Sequence, residues 1–444
     1  MRTQIKIHRS RSGSVLMIAL VTGGVLGVSM LSYFLLMNHQ NTMVHRGQAW
    51  NHALTMAEAG VEDALAHLNI DFGTNNPFGN PSQGWSGPVA GPAALDDERS
   101  LAGGRYSVLI ERAAGTGFPI ITSNGKVKVP NSSQFVERQV QVRCVPKAAY
   151  QSAMVVRKDI TFNGNNITTD SYDSTSNFYS TSNRYDQLKR KAGGDIVSTE
   201  GFINVGNADI KGKLYTGPIN AGQYSVGPGG SVGDLNWNGP GIQPGGWYFN
   251  DFNADFTPVG VPDSKPEASS WALSTIASGS GSKPKTNFLQ GGYAYLHAGE
   301  LKLTKTTDRI VVTGDAKLYV TGNISIAGQI VVEPGATLKL YAAGASSQFK
   351  IVNAAGVASA FQYYGLPSNT QITWTGNSEF IGVVYAPNAN LKLSGGGSGA
   401  LGNDFQGSMV VNAISLVGNF SFHFDEALKK IIPSGWVVTR WEEL

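Results

Sequence analysis

The sequence predicts a mostly β protein of the α+β class, with a long N-terminal helix, a small antiparallel sheet and a right-handed parallel β-helix-like domain. Three observations support this. Residues Ser14 to Met37 carry no charge. Three short segments of alternating apolar and polar residues follow before residue 150. Beyond residue 150, short alternating strands end in glycine or asparagine at roughly six- to eight-residue intervals.

The first element is a basic leader, residues 1–13, followed by a transmembrane span from Ser14 to Met37. A helix of this span is ~36 Å long, enough to cross a hydrocarbon core of ~30 Å. The four basic residues before it are not balanced by acids, so we expect a cytoplasmic N-terminus and an extracytoplasmic body. The alternative is a cleavable secretory signal, whose apolar region is usually only ~7–15 residues long.

The span is predicted to continue into an amphipathic stem, because no proline interrupts residues 14–69. Apolar residues recur there at alternating steps of four and three, which places them on one helical face. We call this face the stem seam; it contains Trp50, Leu54, Ala57, Val61 and Leu68. His45 and His52 lie on the opposite face and are expected to be solvated rather than to bind a metal.

Residues 70–149 are expected to form a small antiparallel head. Its first part, to residue 92, has the composition of a loop, and strands are expected to begin near Arg105, Phe118 and Phe135. Asn124-Gly125 predicts a hairpin turn. The only cysteine, Cys144, excludes an internal disulfide and is expected in the core.

Residues 150–425 are expected to form a β-helical passenger with coils of ~18–24 residues. A β-sandwich is the alternative. The stretch 224–292 has a loop composition and predicts an irregular insertion, with a short helix from Glu267. Its aromatic residues either stack on a carbohydrate or hold the loop on the scaffold. Residues 426–444 are expected to form a C-terminal helix, with Asp425 as N-cap, and a tail.

Two segments resemble PilX-type minor pilins and pseudopilins, which are type IV pilin-like proteins. The first is the leader and span followed by "AEAGVEDAL", which matches a family signature at Glu58, Gly60 and Glu62. The second is "FHFDEAL", near the C-terminus. The resemblance implies cleavage between Gly13 and Ser14, a location in the bacterial inner membrane, and partners that are other pilin-like subunits. Ile18 stands where most pilins have glutamate, which argues against a bulk-polymerising major subunit.

The predicted function is therefore that of a membrane-anchored structural subunit of a pilus or pseudopilus that displays a β-rich domain for assembly or adhesion. A stand-alone membrane adhesin is the alternative, and a polysaccharide-active enzyme is disfavoured because acidic residues do not recur at coil spacing. Within the best-patterned stretch, Asp315 and Glu333 are the single pair at this spacing, and both flank predicted turns. We predict no catalytic residue, metal or cofactor. A glycan or surface ligand is an open partner, whereas the near-neutral charge gives no support for nucleic acid.

Overall fold

The computed structural model divides the chain into two compact units, Met1–Lys147 with Ser434–Leu444, and Ala148–Pro433. The predicted fold class is confirmed: a long apolar helix, a small antiparallel sheet, and a parallel β-helix. The residues that the structure describes are 12–70, 85–86, 93–95, 98–112, 118–130, 132–148, 150–164, 166–218, 223–254, 256–262, 272–375, 379–395, 404–431 and 433–444.

The first unit consists of helix α1, Ser12–Ile70, and a seven-stranded sheet. Six of its strands are β1 (Trp85–Ser86), β2 (Ala93–Leu95), β3 (Arg99–Leu101), β4 (Gly104–Arg112), β5 (Pro119–Lys128) and β6 (Phe135–Ala148). The seventh is the C-terminal strand, Pro433–Glu443, which lies beside β6. The predicted C-terminal tail is thus largely a strand. Alternation along β5 and β6 buries one face of the sheet, and the second half of α1 covers that face.

The predicted hairpin at Asn124-Gly125 is wrong. Strand β5 runs straight through both residues, and Gly125 pairs with Tyr106 on one side and Arg138 on the other. A Cβ on Gly125 would lie 2.0 Å from the carbonyl oxygen of Ala53 in α1. The glycine is required for close approach of helix and strand rather than for a turn.

The second unit is a stack of short parallel strands. They are β7 (Met154–Val156), β8 (Ile160–Asn163), β9 (Thr168–Tyr172), β10 (Ile196–Ser198), β11 (Ile203–Gly206), β12 (Asp209–Lys211), β13 (Leu214–Thr216), β14 (Tyr224–Val226), β15 (Ser231–Gly233), β16 (Gly241–Ile242), β17 (Tyr248–Phe249), β18 (Ala272–Leu273), β19 (Thr286–Leu289), β20 (Tyr293–His297), β21 (Leu301–Leu303), β22 (Arg309–Val312), β23 (Asp315–Val320), β24 (Ile324–Ile326), β25 (Gln329–Val332), β26 (Thr337–Ala342), β27 (Ser346–Gln348), β28 (Ile351–Asn353), β29 (Phe361–Gly365), β30 (Gln371–Thr375), β31 (Phe380–Gly395), β32 (Asp404–Gly418) and β33 (Ser421–Asp425). A short helix α2, Leu428–Ile431, follows them, and β34 is the C-terminal strand Pro433–Glu443.

Each coil pairs in register with the next, so that side chains of one type form columns. Leu318 of β23 pairs with Leu340 of β26, which pairs with Tyr363 of β29, and all three are fully buried. Hydrogen bonds from Lys213 to Asp195, Thr337 to Asp315 and Thr370 to Ala345 join neighbouring coils across 18 to 25 positions. The first coil is longer, because Met154 pairs with Ile196. The parallel pairing excludes the β-sandwich alternative, whose sheets are antiparallel.

The order of the coils along the stack differs from their order in the chain. Strand β7 of the first coil pairs with β10 on one side and with β32 on the other. Strand β9 likewise lies between β12 and β33. The chain therefore enters and leaves the β-helix at neighbouring coils. Ends that lie close together allow a domain such as this one to be inserted between two chain segments, here Met1–Lys147 and Ser434–Leu444.

The predicted irregular insertion, 224–292, needs correction, because strands β14 to β19 all lie within it. The predicted helix from Glu267 falls partly outside the described residues, and Ala272–Leu273 within it is a strand paired with β20. Strands of two to four residues leave a sequence dominated by turns, so the composition resembled that of a loop. Residues 250–254 and 256–262 do lack regular structure.

Candidate functional site

The first half of α1 is the candidate membrane-inserted segment. Residues 15–44 are exposed throughout, and the helix is long and apolar enough to cross a membrane. The hydroxyl groups of Thr22, Ser29 and Ser32 donate to backbone carbonyls one turn earlier, at 2.7 to 2.8 Å. Polar side chains satisfied within the helix suit a segment that has no water around it.

The second half of α1 is held on the sheet by small residues. Its buried face contains Ala49, Ala53, Met56, Ala57, Gly60, Val61, Ala64 and Leu68. A Cβ on Gly60 would lie 2.2 Å from Ser123 Oγ and 2.9 Å from Val108 Cγ2. A larger residue would force the side chains of Ser123 and Val108 to shift, so Gly60 has a packing role here.

The structure divides the predicted stem seam. Ala57, Val61 and Leu68 are buried in the core of the first unit, and Leu54 is partly buried against the same core. Trp50 is half exposed, with the Arg138 guanidinium 4.1 Å from its ring centroid. Most of the seam is therefore engaged by the head sheet within one chain, and Trp50 is its most exposed member.

The two acidic residues of the signature, Glu58 and Glu62, are exposed one turn apart. Sequence reasoning missed Asp63, which accepts hydrogen bonds from Arg99 at 2.6 Å and from the Tyr106 hydroxyl at 3.2 Å. Burial, and next the Asp63 carboxylate, raise the pKa of Tyr106. Asp63 thus links α1 to β3 and β4 through these two hydrogen bonds.

The predicted cleavage position lies at the N-terminal end of α1, because both Gly13 and Ser14 belong to the helix. Residues 1–11 of the leader lie outside the described residues. The predicted end of the span, Met37, lies within the same helix, with no break near it. Cleavage between Gly13 and Ser14 stays a prediction.

A second candidate site is a buried polar cluster in the β-helix, where His423 Nδ1 lies 2.5 Å from Asp170 Oδ1. The Tyr185 hydroxyl donates to Asp170 Oδ2 at 2.7 Å, and the Tyr185 ring stacks on His423 with ring centroids 3.4 Å apart. Asp170 and His423 are 253 positions apart in the chain but directly paired between β9 and β33. The sequence offered no cue to this pair, because it depends on the permuted order of the coils.

The neighbouring carboxylates of the cluster are also engaged. Asp425 accepts from the backbone N–H groups of Ala427 and Ser174. Because α2 begins only at Leu428, Asp425 caps the turn that precedes the helix and is not the predicted N-cap. Glu426 accepts from the Ser171 hydroxyl and pairs with Lys191. Burial raises the pKa of Asp425. Within the described part of the chain, no group of three or more His, Cys, Asp or Glu residues is arranged to hold a metal ion.

The pair singled out as a possible glycan-cleaving site does not form. Asp315 pairs with Thr337, 22 residues further along, and accepts its hydroxyl hydrogen bond at 2.7 Å. Glu333 instead donates its backbone N–H to Val312. The coil in this region is longer than the 18-residue spacing on which the pairing was based.

Three aromatic residues of the stretch 224–292 hold the chain on the scaffold. Phe249 and Phe252 both pack on the Tyr215 ring, at centroid distances of 5.2 and 5.7 Å. Arg157 lies 5.0 Å above the Phe256 ring. The Tyr385 hydroxyl then donates to the carbonyl of Thr257. This segment therefore contacts Arg157, next to β7, and Tyr385 of β31, whose coils lie between the two ends of the stack.

Comparison with known proteins adds little to this description. A family model described as "Domain of unknown function (DUF7305)" matches residues 262–431. This range begins just before β18 and ends with α2, so it covers the later coils but not the first ones. No curated protein matches the chain. The crystal structure of the competence-associated pilin ComZ from Thermus thermophilus aligns over 89% of this chain and 98% of its own, at 11% identity and a TM-score of 0.22, which does not establish a common fold.

Proposed function

We propose that this chain is a membrane-anchored, minor-pilin-like subunit that displays its β-helix outside the membrane. The observation that carries the proposal is the continuous helix Ser12–Ile70. Its first half is apolar and exposed, and its second half is packed on an antiparallel sheet through alanine and glycine. An exposed apolar helix of this length is stable only in lipid or against other apolar helices.

The resemblance of the leader and of the "AEAGVEDAL" segment to PilX-type proteins supports the finer proposal. Assembly would proceed through the first half of α1, since most of the stem seam is already covered by the head. The β-helix is proposed to bind or display rather than to catalyse, because Asp170 and His423 are buried and the ring of Tyr185 covers the histidine. A glycan ligand is not favoured, because Phe249, Phe252 and Phe256 serve the scaffold.

Photo-crosslinking in membranes tests the assembly part of the proposal. A photoreactive residue at Leu31 or Leu35, both exposed, is expected to give adducts with other single-span subunits. The same residue at Lys392, exposed on the β-helix, is the control and should give none of these adducts. Adducts from neither helix position, in cells that contain the filament system, would favour the stand-alone membrane adhesin.

A further inference from the structure

Strand β5 runs along α1 toward the apolar half of the helix. Ser123 lies against Gly60, Gly125 lies against Ala53, and Val127 shares a core cluster with Ala49. Residue numbers fall along α1 as they rise along β5, so the strand and the helix run in opposite directions. The C-terminal end of β5 is therefore the end of the sheet nearest the apolar half of α1. The starts of β4 and β6 are at the same end, because Gly104 pairs with Val127 and Phe135 pairs with Lys128.

This end of the sheet carries a basic groove of about 370 Å³. Arg105, Lys126 and Lys128 line it together with Leu101 and Phe135. The Arg105 guanidinium lies 5.1 Å and the Lys126 Nζ 5.3 Å from the Phe135 ring centroid. Leu101 and Phe135 are 48% and 45% exposed, so they offer apolar surface beside these cations.

Among the described residues at this groove, three cations are accompanied by two acids. Glu98 pairs with Arg105 at 3.0 Å, and Glu137 pairs with Lys126. Lys128 is exposed and makes no ion pair within the described ranges. On the helix, Arg46 is also exposed, and it is the first Lys or Arg after the predicted span. The surface is therefore complementary to an anionic partner.

The distance to the membrane is short. Helical rise puts Ala49 ~18 Å beyond Met37, and the polar headgroup layer occupies ~5–8 Å of this distance. The rest is close to the Debye length, ~10 Å at 0.1 M salt. Exposed aromatic and basic side chains next to a span are typical of residues at a membrane interface.

We propose that Arg105, Lys126 and Lys128, arranged around Leu101 and Phe135, bind the anionic phospholipid headgroups of the membrane that anchors the stem. This inference rests on the proposed membrane anchoring. Headgroup phosphates would accept hydrogen bonds from the cations while the two apolar side chains contact the interface. The head would thereby be held down on the membrane until the subunit leaves it.

Energy transfer from the head to the lipid surface tests this inference. The full-length protein with Ser133→Cys, exposed in the β5–β6 connection, is labelled with a fluorescent donor. Cys144 should stay unlabelled, because it is buried and burial raises its pKa to about 11. The protein is inserted into vesicles of phosphatidylcholine, alone or mixed equally with phosphatidylglycerol, that contain an acceptor-labelled lipid headgroup.

We expect stronger transfer in the anionic vesicles, and a loss of this difference on raising salt from about 0.1 M to about 1 M. Lys126→Gln with Lys128→Gln should lower the ratio of bound to free heads roughly fivefold for each lysine. Lys302→Gln with Lys392→Gln, on exposed lysines of the β-helix, removes the same charge and should leave transfer unchanged.

Two results separate the possible failures. Transfer that is equal in both lipids, or equal in the groove variant and its control, overturns lipid binding if the protein resists alkaline extraction from the vesicles. Protein that is extracted by alkali shows instead that the proposed anchoring itself is wrong. Hydrogen exchange of the head, measured on both lysine variants, establishes that their sheets are equally folded.

Discussion

Gly125→Ala is the substitution that probes the packing of stem on head most sharply. The added methyl would lie 2.0 Å from the Ala53 carbonyl oxygen and 2.5 Å from the Ala57 nitrogen. Real Cβ atoms essentially never lie within 3.0 Å of such atoms, so helix and strand would have to separate by about 1 Å. Both clashing atoms belong to the helix backbone, which has no alternative rotamer.

The expected cost follows from this geometry. Overpacking a core costs typically ~1–3 kcal/mol, and a backbone clash belongs to the upper part of this range. Replacing a strand glycine with alanine returns at most ~1 kcal/mol. We therefore expect the head to lose about 2 kcal/mol, which corresponds to a roughly 30-fold larger equilibrium constant for opening of its sheet.

Native-state hydrogen exchange measures this loss locally, so that unfolding of the second unit does not interfere. Peptides from β5 and β6 should exchange faster in Gly125→Ala, and peptides from β26 should not change. Gly47→Ala is the matched control: its methyl would meet no atom within 4 Å, and the helix should gain up to ~1 kcal/mol. Unchanged protection of β5 in Gly125→Ala would refute the close approach of Gly125 to α1.

Three further substitutions test other parts of the structure. Val61→Asp places a charge in the core of the first unit and should destabilise the head by several kcal/mol. Trp50→Asp, at a half-exposed position, should leave the hydrogen-exchange protection of the head nearly intact. Equal effects of the two variants would contradict the division of the stem seam. Met154→Ala removes a fully buried side chain between Ile196 and Met409 and should cost ~2–5 kcal/mol. Hydrogen exchange should therefore accelerate in both β10 and β32. Acceleration in β10 alone would argue against a stack in which the first coil lies beside the last. Burial raises the folded-state pKa of Asp195, so the folded state binds this proton more tightly than the unfolded chain and loses stability as the pH rises through that pKa. Asp195→Asn should therefore be more stable than the parent in urea at neutral pH but not in acid. Equal stabilities at neutral pH would contradict the sign of this pKa shift.

Sequence patterns predicted the elements that depend on local periodicity. The apolar run and the absence of proline were enough to predict α1, and short alternating strands with glycine corners were enough to predict a parallel β-helix. Asn124-Gly125 shows the limit: the dipeptide that favours a turn also provides a strand position without a side chain, and only the neighbouring Ala53 decides between them.

Sequence patterns do not predict long-range pairing either, because they do not specify which distant residues become neighbours. Whether Asp315 meets Glu333 or Thr337 depends on a coil length that varies along the stack. The contact of Asp170 with His423 requires that the first coil lies beside the last one, which no local pattern encodes. Trp50 was assigned to the seam by spacing, but the helix turns it half away from the sheet.

Mass spectrometry of the mature N-terminus decides whether α1 anchors a pilin-like subunit. The protein is purified from membranes of a host with an active prepilin peptidase. We expect a mature chain that begins at Ser14. Intact peptides that span Gly13 and Ser14 in the mature membrane protein would contradict the pilin-like assignment and favour a plain membrane anchor.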